Sequence, residues 1–217
     1  MVASVQVELT DSDALISFSA SAWSLAPGEI SIELWMDGQP TGGRLAMYAN
    51  TPSMHLSLGR SYVWLQDIAP GQHTLELMAG LTTVTDANDI ACVTISQMGD
   101  GCAVRFADDA PCPTGVGQGL IKEAVRTKGG QLLLSGSTSG WSTQAAALVG
   151  SYIVSDGGDG AGMEVFANNA SQHLATVPRD EVYLGANARG QHLFQVMRRA
   201  PRPPTAGTPL IWRSSSG

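Results

Sequence analysis

Tyr48-Ala49-Asn50-Thr51-Pro52-Ser53-Met54-His55 returns 118 residues later as Phe166-Ala167-Asn168-Asn169-Ala170-Ser171-Gln172-His173. An aromatic ring, an Ala-Asn pair, a serine and a histidine keep their places, and the match extends in both directions. Ser19-Ala20-Ser21-Ala22-Trp23 leads into the first block as Ser137-Thr138-Ser139-Gly140-Trp141 leads into the second. Further on, Val63-Trp64-Leu65 pairs with Val182-Tyr183-Leu184, and Ala69-Pro70-Gly71-Gln72-His73 with Ala188-Arg189-Gly190-Gln191-His192. The offset there is one residue larger, which a single loop insertion explains. Self-similarity at one long period reads as an internal duplication.

The halves run over residues 1–98 and 119–217, each close to the commonest domain size of about 100 residues. Between them, Gly99-Asp100-Gly101 through Gly115-Val116-Gly117-Gln118 is rich in Gly, Asp and Pro and reads as a junction. Charge divides unevenly: 1–98 carries −8, 99–118 carries −2 and 119–217 carries +3, for a net −7 over 217 residues. A net negative chain is a poor general binder of nucleic acid or anionic lipid. No apolar run nears the roughly 20 residues of a membrane span, and Met1 to Val7 lacks the parts of a secretory signal. The expectation is a soluble protein that makes no membrane insertion and binds no nucleic acid. The charge contrast suggests halves that pack or assemble head to tail, or an acidic partner for Arg198, Arg199 and Arg202.

Alternation of period two dominates. Val5, Val7 and Leu9, then Ile30, Ile32 and Leu34, then His73, Leu75 and Leu77, then Val93 and Ile95 each fall on one face of an extended segment. Gln118 to Lys128 has helical propensity, yet it aligns with the alternating Met1 to Thr10 and is therefore read as a strand. Short strands at turn-punctuated intervals with almost no helix predict an all-β chain: two tandem antiparallel β-sandwiches, with about eight strands per half and a jelly-roll topology.

A small-polar stretch ends in Trp23, and an Ile/Leu strand ends in Asp37-Gly38. The Ala-Asn-x-x-Ser-x-His block, Pro70-Gly71-Gln72-His73-Thr74-Leu75-Glu76-Leu77 and the closing Thr85-Asp86-Ala87-Asn88-Asp89 complete the order. This order resembles the TNF/C1q-like jelly-roll modules of phage tail, fibre and virion-surface proteins. The resemblance spans nearly all of the first half and most of the second. It fails where Arg202-Pro203-Pro204-Thr205-Ala206-Gly207 replaces the Val84 to Asp89 region. It implies self-assembly, with a trimer favoured, contacts with other virion proteins, and assembly in a host cytoplasm, with a cytoplasmic protein as the alternative.

Chemistry-bearing residues are few. The four histidines form equivalent pairs, His55 with His173 and His73 with His192. The second pair opens strands and suits packing, whereas His55 and His173 are candidates to touch a ligand. Asp86, Asn88 and Asp89 offer three oxygen-bearing side chains in four residues, a partial calcium shell, although a self-bonded turn accounts for them equally. Cys102 and Cys112 flank a loop that a disulfide would close, and Cys92, within a strand, reads as a buried thiol. The repeated Trp23 and Trp141 suit core packing, which leaves Trp35 and Trp64 as the tryptophans for a surface contact such as a glycan. Gly136-Ser137-Thr138-Ser139-Gly140 places Thr138 where a hydrolase elbow needs its nucleophile.

No catalytic residue is assigned, and the leading expectation is a non-enzymatic structural or adhesion protein of a virion that contacts host glycan. The alternatives are a small-molecule cyclase or hydrolase with a pocket in or between the sandwiches, and a lectin-like binder. A roomy pocket with a perturbed carboxylate would favour the enzyme, and an exposed aromatic pair without one would favour glycan binding.

Overall fold

The computed structural model describes residues 1–10, 13–97, 119–128, 132–176, 179–183 and 189–202. Every regular element among them is a β-strand. The first half holds β1 (Ala3–Leu9), β2 (Ala14–Ala22), β3 (Gly28–Met36), β4 (Gln39–Ala49), β5 (Leu56–Leu65), β6 (Gly71–Ala79) and β7 (Ala91–Gln97). The second holds β8 (Gly119–Lys128), β9 (Leu132–Gly136), β10 (Ser139–Gly140), β11 (Ala147–Ser155), β12 (Gly158–Ala167), β13 (Leu174–Ala175), β14 (Arg179–Tyr183) and β15 (Arg189–Arg202). The segment with helical propensity is thus a strand, as its alignment with β1 requires.

In the first half a four-stranded sheet, β1-β6-β3-β4, faces a three-stranded sheet, β5-β2-β7, and all pairings are antiparallel. Ile30, Ile32, Leu34, Leu45, Met47, Leu75 and Leu77 from one sheet meet Ile16, Phe18, Leu56, Leu58 and Val63 from the other in one buried cluster. This is an antiparallel sandwich, built from seven strands among the described residues where eight were expected. Strict alternation makes it so, because each strand can bury only one side.

The second half repeats the larger sheet in the same order, β8-β15-β11-β12. The register repeats too: Val7 faces His73 as Val125 faces His192, and Leu34 faces Leu77 as Ile153 faces Val196. Tight turns recur at Asp37-Gly38 and Asp156-Gly157, where both residues of each pair have positive φ. These two-residue loops match the twist of their hairpins, and Asp-Gly tolerates the left-handed backbone they require. The shorter pairs β9–β14 and β10–β13 stand where β2 and β5 pair in the first half.

The halves touch. β13 packs beside β5, and a Cβ built on Gly59 would lie 3.5 Å from the Ala175 Cβ. Gly59 has φ +82°, so its backbone favours glycine there, while the space beside it would admit a Cβ in ordinary contact.

Candidate functional site

Each histidine of the repeated block is placed by the turn before it. Ser53 and Ser171 sit in the left-handed region at φ 57° and 59°. Their N–H groups donate to the Ser24 and Ser142 carbonyls at 2.8 and 2.7 Å, which pins each turn beside the residue following its tryptophan. His55 consequently lies 5.9 Å from Trp23 with the rings 46° apart, and His173 lies 6.1 Å from Trp141 at 52°. The two imidazoles are in equivalent poses.

Their partners differ. His55 Nδ1 meets Asp89 Oδ1 at 2.8 Å, and its Nε2 lies 3.6 Å from Asp86 Oδ2. Asp89 also accepts from Ser21 Oγ at 2.8 Å and from the Asp86 N–H at 3.0 Å, while the Asn88 N–H donates to Asp86 Oδ1. Hydrogen bonding to Asp89, reinforced by the charges of both aspartates, raises the pKa of His55 above the ordinary histidine value. Burial pushes Asp89 upward, but hydrogen bonds from His55, the Asp86 amide and Ser21 together hold it below the usual carboxylate range.

Ser21, Asp89 and His55 are the residue types of a hydrolytic triad connected in the wrong order. The carboxylate stands between hydroxyl and imidazole, so the Ser21 proton points at Asp89 and not at the His55 ring. Thr138 bonds to Ser151 and Thr176 hydroxyls at 2.8 and 3.0 Å, a part-buried hydroxyl cluster that leaves it no basic partner among these contacts.

His55, Asp86 and Asp89 bring one ligand atom each within 4.8 Å of one another. A nitrogen beside two carboxylates suits a transition metal better than calcium, which prefers six or more oxygens. Asn88 adds a backbone donor to this turn. Both Asp89 oxygens already accept protein hydrogen bonds, so the turn is closed without an ion.

His173 draws its partner from the other half. Its Nδ1 and its backbone N–H reach Asn50 Oδ1 at 2.7 and 3.2 Å. Tyr48 stands edge-on to the same imidazole at 6.2 Å, Gln172 Nε2 contacts Met54 Sδ at 2.8 Å, and Ser137 Oγ donates to the Arg60 carbonyl at 2.6 Å. The seam therefore lines up Tyr48, His173 and Trp141, and the two outer rings are 49% and 43% exposed.

Several expectations need correcting. Trp141 is exposed rather than core, whereas its counterpart Trp23 is half-buried and its backbone is bridged to Val84. Cys92 is exposed: on the edge strand β7, Val93 and Ile95 turn inward and Cys92 turns out. Trp35 and Trp64 are half-buried on the outer faces of different sheets, so they share no platform. Trp35 donates to Glu33 at 3.3 Å. Cys102, Cys112 and the junction at 99–118 lie outside the described residues, as does most of the divergent tail after Arg202.

His73 and His192 hold turns. His73 bridges Asp37 and the Ala69 carbonyl, each at 2.7 Å, and His192 Nδ1 meets Asp156 at 2.8 Å. The bond to Asp37, then that to Ala69, raises the His73 pKa, and the Thr74 amide followed by His73 lowers that of Asp37. A groove of about 270 Å³ runs along the β3–β4 hairpin beside Glu33, Pro40 and Arg44, and none of the four histidines lines it.

What sequence reading missed is the seam itself. Tyr48 and Asn50 stood in the repeated block, but their contacts with His173 join positions 125 and 123 apart. Fold and site together define an all-β sandwich protein with an aromatic seam between its halves. No known family matches the chain, and no curated protein matches it in sequence.

Proposed function

We propose that the chain is a non-enzymatic structural or adhesion protein, made of two copies of one sandwich, whose aromatic seam contacts a glycan. The observation that carries this reading is the Tyr48–His173–Trp141 row, its outer rings exposed and its imidazole half-buried, with the Asn50 amide beside it. Aromatic faces take up the apolar C–H side of a sugar ring, and an amide with an imidazole supplies directional hydrogen bonds to its hydroxyls. The inverted Ser21–Asp89–His55 connection counts against the hydrolase alternative. The virion setting and the trimer rest on the resemblance to TNF/C1q-like phage modules alone.

Binding to an immobilised glycan panel tests the seam. Selective binding is expected, with Trp141→Ala and Tyr48→Ala each weakening it about tenfold or more while leaving the fold intact. Retained binding in both variants, or no binding to any glycan, rejects the seam as the adhesive site. Light scattering after size exclusion tests assembly: a trimer has three times 22.6 kDa, about 68 kDa. A mass of one chain at all concentrations rejects the closed trimer.

A further inference from the structure

We propose that the first half carries a capped copy of the edge by which the second half docks, and that uncapping it lets chains join head to tail. This goes beyond a closed trimer and does not depend on glycan binding.

The seam has two sides. One is the rim Tyr48 and Asn50 of the first half, and the other is the Trp141–His173 edge of the second. Both sides exist twice. The rim recurs as Phe166 and Asn168, both exposed, with Phe166 at 40%. The edge recurs as Trp23 and His55, with nearly the same ring separation and tilt.

What sits on His55 differs from what sits on His173. The atom that meets an incoming Asn50 at 2.7 Å in one half meets Asp89 of its own half at 2.8 Å in the other. Asp89 arrives on the segment between β6 and β7, which is laced to the edge through the Trp23–Val84 bridge and the Ser21–Ile90 hydrogen bond. The Asp89 carboxylate is only 3% exposed. It occupies the position that a docking asparagine would need.

The occupant that fits the Phe166–Asn168 rim is therefore the Trp23–His55 edge of a second copy of this chain, once Asp89 has moved aside. The contact would repeat the existing seam and set a half of net charge +3 against one of −8. Its two surfaces differ, so it propagates in an open series unless the rotation closes. In the native chain Asp89 keeps that series from starting.

Asp89→Ala is the test, read by light scattering over a dilution series beside the native chain and the double variant Asp89→Ala/Asn168→Ala. The expected result is an average mass that rises about twofold or more with concentration in Asp89→Ala, and returns to the native value in the double variant. A folded Asp89→Ala with the native mass throughout overturns the proposal. So does association that Asn168→Ala leaves untouched, since another surface would then be responsible. Should Asp89→Ala lose its β-sheet circular dichroism, Asp89→Ser, whose side chain is too short to take the place of the carboxylate on His55, is judged by the same two criteria. Failure of the glycan panel leaves these outcomes unaffected.

Discussion

His55 and His73 are alike in that each imidazole is clasped by a carboxylate that itself holds a backbone N–H. Both have pKa values raised above 6.5, so the stability these pairs contribute is complete below pH 6.5 and fades as pH climbs through the raised values. Asp37 and Asp89 have pKa values lowered below 3.8, so their contribution is complete above that pH and is lost as pH falls through the lowered values. Thermal stability should therefore be greatest between about pH 4 and pH 6.5 and decline toward pH 8. His73→Gln should flatten the alkaline limb of a melting-temperature profile. An unchanged limb would show that the His73–Asp37 pair adds nothing.

At the scale of elements, the clearest sequence signal was alternation, yet it assigned strands more reliably than it assigned faces. Leu15 and Ser17 mark β2 as extended, but the buried side is Ala14, Ile16, Phe18, Ala20 and Ala22. Leu15 shares the outer row with Ser17, Ser19 and Ser21, so one apolar residue at the head of the strand points to the wrong face, which the rest of the strand and the opposing sheet correct. Truncating Phe18 to alanine would open a void in the fully buried cluster. A loss of about 3–5 kcal/mol in urea denaturation is expected, and a loss below about 1 kcal/mol would contradict its place in the core. Cys92 carries the opposite lesson: the inward phase of Val93 and Ile95 already placed it on the outer row. In a Cys102→Ser/Cys112→Ser background its thiol should react with a chromogenic disulfide reagent at the rate of an exposed cysteine under native conditions. Reaction only after unfolding would put it back in the interior.

At the scale of the whole molecule, the two halves present non-identical surfaces to each other, and the Asn50–His173 bond lies at the centre of the seam. A double-mutant cycle with Asn50→Ala and His173→Ala should give a coupling energy of about 1 kcal/mol by chemical denaturation. Additive effects would show that the Asn50–His173 bond adds nothing to the joining of the halves. The same seam explains why the repeat diverges. Tyr48, Asn50 and Met54 serve as a docking rim, and the second copy keeps the asparagine as Asn168 while Tyr48 and Met54 drift to Phe166 and Gln172.

By itself the sequence determined the all-β class, the recurrence at 118 to 119 residues, and the turns at Asp37-Gly38 and Asp156-Gly157. All of these are local or periodic, and so they are written in residue order and spacing. Only the tertiary structure decided that Trp141 is exposed, that Asp89 meets His55, that His73 and His192 hold turns, and that Asn50 reaches across to His173. Such contacts depend on which surfaces the sheets and halves turn toward one another. Two equivalent histidines with the same neighbours in sequence can thus end with different partners, because the space around each is filled by residues far away in the chain.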